Sequence, residues 1–136
     1  AALCEDGAPA PAKHMLAQRI CQALAVHAQI EEEIFYPQAR EVIGDDALMD
    51  EALQEHAQAK EVIARIGAMK ATDAGQDGAV KELGMLIDLH VLEEREQIFL
   101  KARLAALDLR AMTLPLLKRQ QQLKTMARAA LVREAA

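Results

Sequence analysis

The stretch HAQIEEEIFYP, residues 27–37, sets a histidine and three consecutive glutamates inside an otherwise apolar helical run that ends near a proline. At the helical period, His27 and Glu31 share a face with Leu16, Ile20, Ala23, Leu24, Ile30 and Ile34, so both are expected in the core stripe. Glu32 and Glu33 turn away from that stripe, toward water or toward a ligand that they help to orient. Phe35 and Tyr36 read as core packing near the helix end, with the phenol in reach of an inward site. Pro37 removes a backbone donor and is expected to kink the helix or loosen its end.

The same device recurs further along the chain. Leu83, Leu86, Ile87, His90, Glu94 and Ile98 form a second stripe, again with a glutamate four residues after the histidine. Between them, Met49, Ala52, Leu53, His56, Ala59, Ile63 and Ile66 form a third stripe that turns His56 inward. Glu93 and Glu96 fall off the stripes. A carboxylate buried without a partner is heavily penalised, and no inward Arg or Lys stands opposite Glu31 or Glu94. A metal would satisfy the imidazoles and the carboxylates together. Residues four apart lie about 5–6 Å from each other on one helix face, so each His/Glu pair can aim nitrogen and oxygen at one point between helices. Such donors suit iron, manganese or zinc, and two carboxylates placed to bridge favour two ions.

Composition sets the frame for these stripes. The chain has 136 residues, enough for one domain; 52% are apolar, only 2% are aromatic, and good helix formers dominate. An all-α fold is expected. Turn signals at EDGAPAPA (5–12), IGDDA (43–47), TDAGQDG (72–78) and 107–115 leave helices over about 13–42, 47–70, 79–106 and 114–133. Asp45 or Asp46 is the expected cap of the second helix, and Asp77 of the third. No apolar run approaches the roughly 20 residues of a membrane span. The two cysteines, Cys4 and Cys21, make no disulfide framework, and with no secretory leader visible a cytoplasmic setting is expected. Charge is uneven: residues 1–100 carry 8 Lys+Arg against 19 Asp+Glu, and residues 101–136 carry 8 against 2. A basic terminal helix can bind nucleic acid, yet it can equally pair with the acidic body, and the absence of aromatic interleaving argues against nucleic acid.

Three segments, LAQRICQALAVHAQIEEEIFYPQAR (16–40), DDALMDEALQEHAQAKEVIARI (45–66) and LGMLIDLHVLEEREQIFLKAR (83–103), together resemble the hemerythrin-like HHE cation-binding domains. The resemblance implies an antiparallel up-down bundle around a non-haem di-iron centre, oxo- or hydroxo-bridged, in which zinc or manganese can substitute. His27, His56 and His90 would be terminal ligands, and Glu31 and Glu94 the bridges. Two departures stand out. The family's first helix carries an inward histidine, and here the only upstream histidine, His14, lies 13 residues before His27, about 20 Å away on one helix. Lys60, one turn after His56, stands where invertebrate hemerythrins have a second histidine, and an ammonium cannot ligate.

The expected organisation is therefore residues 1–12 as a loop or the remnant of an absent first helix, 13–106 as the bundle, and 107–136 as a basic amphipathic helix. That last helix, through Leu116, Leu117, Gln120, Leu123, Ala127, Ala130 and Leu131, can cover the open side of the bundle in its own chain or in a homodimer. The functional expectation is binding or sensing of O2 or NO, or handling of peroxide and iron. Its rival is a metal-free helical interaction module whose inward polar residues fix helix register.

Overall fold

The computed structural model describes the backbone of residues 10–135 and the side chains of residues 11–130. Among these residues the secondary structure is entirely helical, arranged as four rods. The first rod is α1 (Ala10–Ile30), a π-helical turn (Glu31–Phe35) and α2 (Tyr36–Ile43); the second is α3 (Asp46–Ala68). The third is α4 (Gln76–Glu93), a second π-helical turn (Glu94–Ile98) and α5 (Phe99–Leu104); the fourth is α6 (Thr113–Ala135). Among the described residues α1 already includes Ala10, Pro11 and Ala12, which lie inside the segment expected as loop. Cys4 lies outside the described residues.

Short turns reverse each rod. Gly44 takes a left-handed φ of 69° and caps α2, and Asp45 Oδ1 accepts the Leu48 N–H at 3.1 Å to start α3. Asp77 does not cap α4, which begins after Gly75; its carboxylate faces Lys13 at 3.4 Å instead. That pair and the His14–Gln76 bond of 2.7 Å tie the start of α1 to the start of α4, while Gln18 donates to the Ile66 carbonyl near the end of α3. The first two rods are thus antiparallel.

Two apolar clusters stack along the bundle. One holds Ala17, Cys21, Ala59, Val62, Ile66, Ala79 and Leu83; the other holds Phe35, Tyr36, Ala39, Met49, Ala52, Ile98, Ala102 and Met112. The stripe of α1 is turned from the expected one: Ala17 and Cys21 are buried, whereas Leu16 and Ile20 are exposed. Among the described residues Leu16 and Ile20 therefore remain open to solvent. The basic helix α6 lies along α1 on its outer flank, packing Leu123 against Val26 and Ile30 and pairing Arg119 with Glu33 at 2.7 Å. Leu117 stays exposed.

Candidate metal centre

Four buried polar side chains interrupt the apolar interior between the two clusters. Glu31, His56, His90 and Glu94 each offer a nitrogen or oxygen, and these atoms all lie within 4.8 Å of one another. Both glutamates open a π-helical turn: the Glu31 carbonyl accepts the N–H of Tyr36, and the Glu94 carbonyl that of Phe99, five residues on in each case. In a regular α-helix a residue five positions on points about 140° away. The wider turn instead brings Tyr36 round to the interior, where it is 3% exposed.

The imidazoles are fixed from outside. His56 Nδ1 meets Glu32 Oε2 at 3.0 Å, and His90 Nδ1 meets Glu55 Oε1 at 2.8 Å. Each carboxylate selects the tautomer with the proton on Nδ1, leaving Nε2 to present a lone pair inward. The two Nε2 atoms then stand 3.0 Å apart, each 3.1 Å from the Tyr36 hydroxyl, and His90 Nε2 is 2.7 Å from Glu94 Oε2. One hydroxyl proton cannot satisfy two facing lone pairs, so the geometry calls for a cation among these atoms.

Proton affinities carry the same tension. Burial opposes a charge on His90, but its bonds to Glu94 and Glu55 outweigh that and push its pKa up to about 9. Burial, with Glu31 close by, pushes Glu94 up to about 7 even against the pull of His90. Burial also acts against ionised Glu31, yet His27 and His56 beside it hold that carboxyl well below its ordinary range. Tyr36 is raised by burial and by the surrounding glutamates, so it remains a phenol. Without a metal, then, a proton held between His90 and Glu94 supplies the missing positive charge.

Two carboxylate oxygens remain unsatisfied even so. Glu31 Oε1 and Glu94 Oε1 are buried without a hydrogen bond; His27 Nε2 comes within 3.2 Å of the former but off the bonding direction. Native interiors rarely leave such atoms orphaned unless an ion or water completes them. Two imidazoles and two carboxylates with free lone pairs fit a borderline divalent metal such as iron, manganese or zinc.

The structure thus brings Glu31, His56, His90 and Glu94 together. His27 stands apart at the mouth beside Glu31, its side chain 63% exposed. A cavity of about 270 Å³ opens from the cluster among α1, α3 and α4, walled by Leu24, Ile63, Ile87 and Val91. None of the described side chains of α6 lines it. Tyr36 is buried with its phenol at the site, as its expected core packing allowed, but residue phase at 3.6 per turn did not place it between the two histidines, and Glu55 could be paired with His90 only once α3 and α4 were set side by side. Pro37 was the available signal for Tyr36, since it cannot extend the α-helical hydrogen-bond ladder.

Among the described residues no helix is long and apolar enough to cross a membrane. No curated protein and no solved structure matches the chain. Residues 2–102 match the Hemerythrin HHE cation binding domain, and a chain that buries two His and two Glu side chains at the heart of that segment belongs to this metal-binding family.

Proposed function

We propose that this chain is a non-haem di-iron protein of the cytoplasm that binds or senses O2 or NO, or handles peroxide. The observation that carries the reading is the pair of orphaned buried oxygens, Glu31 Oε1 and Glu94 Oε1, beside two convergent imidazole nitrogens. His56 and His90 would hold one ion, His27 the other, and Glu31 and Glu94 would bridge them; a homodimer would add cover over His27. Ferrous iron in such a site supplies electrons to a small diatomic or peroxide ligand.

The protein's own part is positional. Glu32 and Glu55 hold the two interior rings in one tautomer, and Tyr36 offers its hydroxyl to whatever occupies the space between them. The apolar walls of the cavity favour an uncharged diatomic over water and ions. Among the described residues the cavity lining adds no hydroxyl or thiol nucleophile to these groups, which favours redox or binding chemistry over hydrolysis.

Iron analysis of aerobically purified protein, with its visible spectrum, tests the proposal. Two irons per chain with an oxo-bridged diferric absorption are expected. Protein that takes up no iron on anaerobic reconstitution, and whose His56→Ala variant folds and self-associates as the parent does, would instead support the metal-free interaction module.

A further inference from the structure

Lys60 occupies a place in the site that an ammonium cannot use for ligation, yet its position is specific. Its Nζ lies 2.8 Å from Oε1 and 2.8 Å from Oε2 of Glu32, and that same Oε2 meets His56 Nδ1 at 3.0 Å. A continuous chain of contacts therefore runs from the rim of the cavity, Lys60 to Glu32 to His56, and ends at the Nε2 that faces the centre. Lys60 sits one turn after His56 on α3, while Glu32 reaches across from the first π-helical turn. The contact therefore also fixes the two rods against each other at the level of the site.

The other interior histidine is supported differently. His90 Nδ1 meets Glu55, and beyond that ring the carboxylates of Glu51 and Glu93 lie within 4.8 Å of Glu55 and of each other. One imidazole is thus backed by a carboxylate held between two cationic or donor groups, the other by a carboxylate among like charges. Glu32 is partly exposed and has several rotamers open to it. Contacts from one ammonium to both of its oxygens select the rotamer that reaches His56.

We infer that Lys60 is a positioning residue: by gripping both oxygens of Glu32 it keeps the proton of His56 on Nδ1 and the Nε2 lone pair directed at the metal. The role rests on the metal-binding reading of the centre, but its first consequence is visible without metal.

The test uses metal-free protein labelled with 15N in histidine, compared for the parent, Lys60→Met and Lys60→Arg. Lys60→Met keeps the apolar stem and removes the charge. Two-bond 15N–1H spectra report which ring nitrogen of His56 carries the proton. In the parent it is expected to be Nδ1; in Lys60→Met a mixture of both tautomers is expected, with His90 unchanged, and Lys60→Arg restores the parent state. Cobalt(II) titration should then show binding about tenfold weaker in Lys60→Met and near the parent value in Lys60→Arg. Since the ammonium is half exposed, the melting temperature of Lys60→Met should stay within about 3 °C of the parent, separating positioning from folding. A His56 proton that stays on Nδ1 in Lys60→Met overturns the inference, as does cobalt affinity within twofold of the parent. If the parent binds no cobalt, the metal-binding reading fails, and the tautomer spectra still decide the role of Lys60.

Discussion

His56 and His90 face each other through Nε2 atoms 3.0 Å apart, while the Nδ1 atom of each is turned outward to a carboxylate. A centre wired in this way is strained when empty and relaxed when a cation enters, so the stability of the protein and its metal content should move together.

The first consequence concerns Glu94. Its Oε1 is buried without a partner, and its other oxygen depends on a proton shared with His90. Glu94→Gln removes the charge and supplies a donor, so the metal-free variant should be as stable as the parent or more so, by up to about 1 kcal/mol. Bound metal should fall to one ion per chain or fewer. Calorimetry of the metal-free protein and metal analysis of the reconstituted protein check the two halves separately.

The pH dependence follows from His90. Its folded-state pKa lies near 9, above the ordinary 6.5, so the stability it contributes is fully present below pH 6.5 and is lost as pH rises toward 9. Glu94, raised to about 7, acts in the same direction between its ordinary value and 7. Glu31, depressed, opposes them only at acid pH. The melting temperature of metal-free protein should therefore fall between pH 6.5 and 9. A His90→Gln variant should flatten the upper part of that slope.

Pro37 supports the turn that delivers Tyr36. In an α-helix residue 37 would donate to the carbonyl of residue 33, and proline has no N–H to give. Pro37→Ala should let the rod approach regular α-helix and carry the phenol away from the histidines. The chain has one Tyr and no Trp, so its fluorescence reports on Tyr36 alone. Emission should rise as the ring leaves its histidine and carboxylate neighbours, and unchanged emission would show that the wide turn persists without the proline.

The docking of α6 separates apolar from charged contributions. Leu123 is buried against Val26 and Ile30, so Leu123→Ala should cost about 2 kcal/mol and speed amide exchange along α6. Arg119 bonds Glu33 through two nitrogens, but the pair is solvent-accessible, and Arg119→Ala should leave the denaturation midpoint close to that of the parent. Hydrogen exchange with chemical denaturation distinguishes the two.

The all-helical fold and the inward placing of Glu31, His56, His90 and Glu94 were legible because a charged residue in an apolar stripe is conspicuous at the helical period. His27 shares the phase of Glu31, but phase says only which way a side chain points, not whether a neighbouring rod stands there to cover it. For Leu16 and Ile20 the same limit applied: their apolar character predicted burial, yet Ala17 and Cys21 are the buried residues of that part of α1. The core packing of Tyr36 was legible, but its exact place between the two histidines was not, for another reason. A π-helical turn adds a residue to one turn of backbone, and only Pro37 hints at it; the matching turn at Glu94 has no proline and no local signal at all.

Those two wide turns sit at the same level of neighbouring rods, each beginning at a carboxylate of the cluster. Beyond them, every side chain of both rods is advanced in angle relative to the residues before. Each of these two rods is in effect two short helices with different angular settings, spliced at a single plane while α3 runs past uninterrupted, and the polar cluster lies at the splice. A one-residue deletion on the far side of that plane would rotate half of the core out of alignment with the other half, while the same deletion within a turn would mend the helix and dismantle the centre.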